Sequence, residues 1–116
     1  MSRSVAAVLI TMGTRPVEFD RALNSLLMQT GIDLDVVVVG NAWDPVGLPA
    51  GVKAHYSPTN LGIPGGRTAG TDLVTGDYLF YLDDDAYLPD PHVISRMLDL
   101  LQADPSIGIV QPRATD

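Results

Sequence analysis

The chain has no cysteine, which excludes disulfide bonds, thiolate catalysis and cysteine-ligated zinc. Basic residues are few as well: 7 Lys and Arg stand against 14 Asp and Glu, and the net charge of -7 disfavours nucleic acid or anionic lipid as a partner. No apolar run approaches the ~18 residues of a membrane span, and the run at residues 5–10 is too short for a signal peptide. We therefore expect a cytoplasmic protein.

The acidic residues are concentrated in one part of the chain. All but one of the 14 are aspartate, and six of these lie between residues 72 and 90. Three are consecutive, at Asp83, Asp84 and Asp85. The concentration of carboxylates predicts that this part of the chain recruits a cation.

Short apolar runs alternate with amphipathic stretches along the 116 residues, a pattern typical of one domain of alternating strands and helices. The runs predict five strands, at residues 5–10, 34–39, 52–57, 78–82 and 107–110. Helices are predicted after Thr14, over residues 67–74, and after the start signal Asp90-Pro91. Right-handed crossovers would make the first, second and fourth strands parallel. The predicted fold class is α/β, a Rossmann-like three-layer α/β/α arrangement with a mostly parallel sheet.

Three polar loops follow the predicted ends of the first, second and fourth strands, at residues 11–15, 40–44 and 83–85. Because open parallel sheets bind ligands at the carboxyl ends of their strands, we expect these loops to meet at one site. Asp83 and Asp85 would point the same way in an extended chain, and a cation would relieve their repulsion. A site that offers oxygen ligands and leaves other coordination positions open suits Mg²⁺ or Mn²⁺. A solvated acidic turn, or side chains that cap backbone N–H groups, would explain the triplet without a metal.

A glycine-rich segment, residues 60–66, precedes the helix predicted to begin at Arg67. Glycines let a backbone approach a ligand closely, and a helix N-terminus favours phosphate. Arg67 in the first helical turn would reach a diphosphate. Taken alone, a Gly-Pro turn before a surface arginine explains the segment at least as well. Trp43, in the second of the three loops, would either stack on a base or sugar or cover the core.

Five segments together match the pattern of a known family. Residues 8–15 are similar to its opening strand and T-Y-N-R type turn, residues 25–29 to its S-L-L-x-Q helix end, and residues 38–41 to its valine strand and V-D-N. Residues 60–70 are similar to N-x-G-x-x-x-(A/G)-R-N-x-G, and residues 76–85 to G-D-Y-x-x-F-L-D-D-D. With these motifs the chain resembles the N-terminal half of the family 2 glycosyltransferases, inverting enzymes with the GT-A fold.

The resemblance implies a site for a nucleotide-diphosphate sugar, with Mn²⁺ or Mg²⁺ as the cofactor. The first two loops would hold the base and ribose through Thr11, Gly13, Arg15, Asn41 and Asp44. Arg67 would approach the diphosphate, and Asp83 and Asp84 would contact ribose or sugar. Asp83 and Asp85 would hold the metal, which would offset charge on the leaving diphosphate.

Two positions depart from the family pattern, since Gly40 replaces its base-contacting Asp and Thr68 replaces the Asn after Arg67. In the family an acceptor-binding half with the catalytic base follows, so we expect residues 1–116 to be one partial domain that lacks this half. Such a chain is expected to bind nucleotide but to transfer sugar poorly, which a radiolabelled transfer assay measures. Apolar edges left uncovered would favour self-association. The acceptor stays undefined.

Three other functions are open on the residues themselves. A nucleotide-binding fragment without catalysis is compatible with every motif. A receiver-type phospho-signalling domain needs paired acids after its first strand, where Thr11 and Met12 stand, and a lysine after its fifth, whereas Lys53 is the single lysine. A nucleotidyltransferase would carry its glycine-rich loop and basic residue after the first strand, where Arg15 is the one candidate.

Overall fold

Residues 3–104, the part of the chain that this computed structural model describes, form four parallel strands and three helices. Along the chain they are β1 (Ser4–Thr11), α1 (Pro16–Leu27), β2 (Asp33–Asn41), β3 (Lys53–Ser57), α2 (Gly62–Thr71), β4 (Tyr78–Asp83) and α3 (Val93–Ala103). The strand order in the sheet is β3-β2-β1-β4. The predicted fifth strand, residues 107–110, lies outside the described residues. No helix within residues 3–104 is long and apolar enough to cross a membrane.

The two central strands are buried on both faces because β1 and β2 are nearly continuous apolar runs. Alternate residues of a strand point to opposite faces. Val5 and Leu9 pack in the core formed with α1 and α3, whereas Val8 and Ile10 belong to the face that α2 covers. Helices on both faces of a parallel sheet are the three-layer α/β/α arrangement that the sequence predicts.

Helix α2 begins earlier than predicted, at Gly62 instead of Arg67. The low helix propensity of glycine favoured a loop there, but tertiary packing outweighs that propensity. A Cβ atom at Gly66 would lie 3.1 Å from Ile10 Cδ1, so glycine allows this first part of the helix to lie close to the sheet. The Asn60 side chain accepts a hydrogen bond from the Gly62 N–H at 2.8 Å and supports the start of the helix. Arg67 therefore lies in the middle of α2 and not in its first turn.

The starts of the other two helices also differ from the prediction. The cap position of α1 is Arg15 and not Thr14, and no side chain caps this helix. Helix α3 begins at Val93, beyond the predicted start at Pro91. The reason is that Asp90 Oδ1 accepts a hydrogen bond from the His92 N–H at 2.8 Å, which closes a turn ahead of the helix.

Two polar side chains of the α1 region hold the segment that connects β4 to α3. The buried Gln29 donates from Nε2 to the Ser25 C=O at 3.2 Å and to the Asp90 C=O at 2.7 Å, and its Oε1 accepts from the Ile94 N–H at 3.0 Å. The Ser25 hydroxyl accepts from the Leu88 N–H at 2.9 Å. Residues 25–29, read from the sequence as a family motif, therefore fix the chain that follows the aspartate triplet.

Candidate functional site

The carboxyl ends of β1, β2 and β4 border one cavity of about 450 Å³, here called the main cavity. Residues predicted for binding that line it are Thr11, Arg15, Asn41, Arg67, Asp83, Asp84 and Asp85. The lining also includes Met12, Thr14, Asn60 and Ile63. These last four were not predicted one by one, although they lie within the same motifs. The loops after the first and fourth strands thus meet as expected, and the end of the second strand contributes Asn41.

The aspartate triplet forms the end of β4 and the turn that follows it. The C=O of Asp83 accepts a hydrogen bond from the Ala86 N–H at 3.1 Å, so the chain turns directly after the strand. Asp83 and Asp85 are exposed, whereas Asp84 is half-buried. The difference in exposure between Asp84 and its two neighbours therefore arises from a turn and not from the pleat of an extended strand.

Thr11 links this turn to the loop after β1. Its side chain is buried, donates from Oγ1 to Asp84 Oδ2 at 2.9 Å, and accepts from the Gly13 N–H at 3.1 Å. A hydroxyl group donates and accepts at the same time, which suits a position between a carboxylate and a backbone N–H. The pair of Thr11 and Asp84 fixes the two loops relative to each other.

Two arginines accompany the three carboxylates in the main cavity. Arg15 Nη1 lies 2.7 Å from Asp85 Oδ2, and both side chains are about half exposed. The guanidinium carbon of Arg67 lies 4.8 Å from the centroid of the Tyr81 ring. Because an exposed ion pair contributes little to stability, Arg15 can exchange Asp85 for a ligand phosphate at small cost.

Asn41 lines the main cavity but uses its amide group to hold the protein backbone. Its side chain is buried, with an exposure of 2%. Nδ2 donates to the Gly62 C=O at 3.2 Å, and Oδ1 lies 3.4 Å from the Leu61 N–H that donates to it. The amide therefore joins the end of β2 to the start of α2.

Trp43 occupies the space beside two glycines and explains one departure from the family pattern. A Cβ atom at Gly40 would lie 1.9 Å from the Trp43 carbonyl oxygen, so the Asp that the family has at this position cannot fit here. A Cβ atom at Gly13 would lie 2.3 Å from the indole ring. The ring packs on the core and meets Phe19 edge-on, with ring centroids 5.9 Å apart. Of the two roles considered for Trp43, the structure shows the second, covering the core.

Gly13 and Asp44, both predicted to contact base or ribose, lie outside the lining of the main cavity. Gly13 lines a neighbouring cavity of about 300 Å³ together with Trp43 and Phe19. Asp44 is exposed and lines neither cavity. Their separation from the other predicted residues follows from Trp43, which fills the space next to Gly13.

Gly13→Ala should destabilise the chain more than Gly47→Ala. The two glycines have φ angles of 73° and 71°, so alanine is strained at either position by a similar amount. At Gly13 the new methyl group would also collide with the indole of Trp43, whereas nothing lies within 4 Å of a Cβ atom at Gly47. We expect an excess loss of about 1–3 kcal/mol in chemical denaturation. Equal losses for the two variants would contradict tight packing of Trp43 on Gly13.

The described residues do not supply a complete metal site by themselves. Within residues 3–104, no three His, Asp or Glu side chains lie close enough together to hold an ion by themselves. The exposed carboxylates of Asp83 and Asp85 are hard oxygen donors on the lining of the main cavity. Mg²⁺ is commonly held by one or two carboxylates, with substrate phosphates and water completing its shell. The residues present therefore fit an ion whose coordination a phosphate completes.

Two carboxylates with lowered pKa values lie outside the main cavity. Burial raises the pKa of Asp35, but hydrogen bonds from the Thr75 N–H and from Lys53 outweigh this effect and leave the pKa of Asp35 below its usual range. The hydrogen bond from Arg96 is the largest cause of the lowered pKa of Asp90. Lys53 Nζ lies 3.0 Å from Asp35 Oδ2, near the start of β2 and at the opposite end of the sheet from the aspartate triplet. This placement excludes the lysine role that a receiver domain requires.

Comparison with known proteins finds relatives across nearly the whole chain. The family described as Glycosyl transferase family 2 matches residues 8–116. The glucosyl-dolichyl phosphate glucuronosyltransferase of Haloferax volcanii is 33% identical over a match of 110 residues, and the match covers 87% of this chain and 35% of that protein. The chain thus spans about a third of the length of this relative.

Solved structures with the same fold include TarS 1-349 of S. aureus, with a TM-score of 0.72 at 19% identity over 97% of this chain and 39% of that one. Its complex with UDP gives a TM-score of 0.70 at 19% identity, over 96% of this chain and 38% of that one. Its complex with UDP-GlcNAc gives a TM-score of 0.69 at 18% identity, over 96% of this chain and 37% of that one. The similarity confirms the α/β fold class predicted from the sequence.

Proposed function

Since the chain belongs to glycosyl transferase family 2, as its motifs predicted, we propose that its main cavity binds the diphosphate of a nucleotide-sugar donor. One observation carries the proposal: Arg15 and Arg67 lie in one cavity with the aspartate triplet, at the carboxyl end of a parallel sheet. Arginines donate several hydrogen bonds to phosphate oxygens, and this end of such sheets is where ligands bind. An acidic chain gains its anion site from these two side chains.

Uridine is the first candidate for the base. The TarS structures that share this fold were solved with UDP and with UDP-GlcNAc. For this chain the loop after β1 would contact the base and ribose through residues 11–15, next to the phosphate groups. Asn41 would act indirectly, because its amide already holds the start of α2. Gly13 and Asp44 lie outside the lining of the main cavity, so they would contact the ligand only if the base extended beyond that cavity.

We propose that Asp83 and Asp85 hold Mn²⁺ or Mg²⁺ when the donor is bound, with phosphate oxygens completing the coordination. A bound ion of this kind stabilises negative charge on a leaving diphosphate as a Lewis acid. Asp84 would keep its structural bond to Thr11, since that hydroxyl already donates to it at 2.9 Å. Asp83 is then the carboxylate best placed to contact both the ion and the sugar.

The activity of the complete protein would be inverting transfer of a sugar from the nucleotide to an acceptor. The relative from Haloferax volcanii is named as a glucuronosyltransferase, and this chain spans 35% of its length. The described residues would supply the donor-binding part of that activity. Self-association and a cytoplasmic location stay predictions, and the acceptor stays undefined.

A thermal-shift screen of UDP, GDP, dTDP and CDP, each with and without Mn²⁺, tests the proposed function. A ligand at one hundred times its Kd stabilises a protein by about 2.7 kcal/mol, which raises the Tm of a chain of this size by roughly 10 °C. We expect one diphosphate to reach this shift with Mn²⁺ and to fall well short of it with EDTA. Its nucleoside should give a much smaller shift at equal concentration. Absence of a shift with all four diphosphates would contradict the proposal.

A further inference from the structure

The geometry points to Tyr81 as a positioning residue that keeps Arg67 available for phosphate, an inference that rests on the proposed function. The Tyr81 ring lies on the face of the sheet that α2 covers, beside the apolar residues of β1 and β2. The Arg67 guanidinium carbon lies 4.8 Å from the centroid of this ring. Arg67 lines the main cavity, so the ring contacts the arginine at the edge of the proposed site.

The distance between helix and sheet makes this contact possible. Gly66 and Gly70 lie against the sheet, where Cβ atoms would approach Ile10 Cδ1 at 3.1 Å and Val8 Cγ1 at 2.5 Å. Because glycine has no side chain, α2 lies closer to the sheet than a helix with larger residues on that face could. Arg67, next to Gly66 in the helix, is thereby brought within reach of a β4 side chain.

A hydrogen bond holds the tyrosine in place at the other end of the ring. The Tyr81 hydroxyl lies 2.9 Å from the Thr71 Oγ1, and Thr71 also donates to the Arg67 C=O at 2.7 Å. Thr71 and Arg67 are four residues apart and therefore lie on the same side of α2. The tyrosine is thus attached to the same helical turn that carries the arginine.

Arg67 takes part in none of the ion pairs found among residues 3–104, although three carboxylates line the same cavity. A cation held by an aromatic ring is attracted by the π electrons, so its N–H groups stay available for hydrogen bonds. The ring also competes with the aspartate triplet for the arginine. Tyr81 therefore keeps Arg67 from pairing with a neighbouring carboxylate and leaves its planar set of donors open to a diphosphate.

Calorimetric titration of five chains with UDP and Mn²⁺ tests this role. The chains are the wild type, Tyr81→Leu, Tyr81→Phe, Arg67→Ala and the double variant that combines Arg67→Ala with Tyr81→Leu. If the screen above favours another nucleoside diphosphate, that compound replaces UDP. We expect Tyr81→Leu to raise the Kd about tenfold, since the lost contact is a cation–π interaction. Tyr81→Phe keeps the ring and loses the hydroxyl, so its Kd should stay within about threefold of the wild type.

The double variant separates positioning from general support of the fold. If Tyr81 acts through Arg67, Tyr81→Leu should have no further effect once Arg67 is alanine. Additive losses, or an unchanged Kd for Tyr81→Leu, would overturn the inference while leaving the proposed function intact. A wild-type chain that binds no diphosphate would overturn both. Tyr81→Met, with a flexible side chain of similar reach, replaces Tyr81→Leu if the latter does not unfold cooperatively.

Tyr87→Leu is the matched control in the same titration. Tyr87 also lies under an arginine, with the Arg21 guanidinium carbon 4.4 Å from its ring centroid. Neither residue of that pair lines the main cavity. The Kd of Tyr87→Leu should equal that of the wild type. A loss of affinity comparable to that of Tyr81→Leu would contradict a specific role of Tyr81.

Discussion

Gln29→Leu should lower the free energy of unfolding by about 3–5 kcal/mol, a large part of the stability of a domain of this size. Leucine fills a similar volume but removes the amide that bonds the Ser25 C=O, the Asp90 C=O and the buried Ile94 N–H. Each buried backbone group left without a partner costs about 1–3 kcal/mol. In thermal denaturation followed by circular dichroism, the Tm should fall by well over 10 °C.

Asn24→Leu is the control for this substitution. Asn24 is an exposed residue of α1, and its substitution likewise replaces a side-chain amide by leucine. A surface substitution of this kind changes stability by about 0.5 kcal/mol or less. If Gln29→Leu were as mild as Asn24→Leu, the three hydrogen bonds of Gln29 would not hold α3 in place. Ser25→Ala, which removes the acceptor of the Leu88 N–H and a donor to the Ala22 C=O, should fall between the two.

Arg67→Ala should raise the Kd for the bound nucleoside diphosphate in the presence of Mn²⁺ by about 10- to 100-fold. Hydrogen bonds that involve a charged group contribute roughly 1.5–3 kcal/mol, and each 1.4 kcal/mol is a factor of ten in affinity. Arg67 lines the main cavity and forms none of the ion pairs found among residues 3–104, so its whole donor set is open to phosphate. Calorimetric titration measures the change directly.

Arg21→Ala and Arg67→Lys complete this experiment. Arg21 is also held over a tyrosine ring but lies outside the main cavity, so its loss removes the same charge without affecting the Kd beyond about twofold. Lysine at position 67 keeps the charge but lacks the planar set of donors, and its affinity should be intermediate. Equal affinities of Arg21→Ala and Arg67→Ala would show that net charge, and not the position of Arg67, decides the binding.

Much of the fold was predictable because its central strands are apolar over their whole length. In a small domain, a continuous apolar run such as Val36 to Val39 is stable as a central strand of a sheet that is covered on both faces. The boundaries of the four described strands differ from the prediction by at most two residues at either end. The boundaries of helices were less predictable, because α2 includes Gly66 and Gly70, which pack closely against β1.

The candidate site was predictable in its components but not in its contacts. Three consecutive aspartates after an apolar strand indicate a polar site from the sequence alone. No local pattern indicates that Thr11 bonds Asp84, since 73 residues separate the two in the chain. The same holds for Gln29 and Ile94, 65 residues apart, and for the Trp43 indole beside Gly13.

The α/β class, the family and the concentration of carboxylates at the end of β4 can be read from the chain alone, because apolar periodicity and residue type are local properties. Which of those residues share a cavity, and which serve the fold, depends on how the elements pack. Asn41 and Asp84 are occupied by partners from distant segments, whereas Arg67 is held by an aromatic ring with its donors open. Side-chain partners are set by packing between elements far apart in the chain, and that packing exists only in the folded protein.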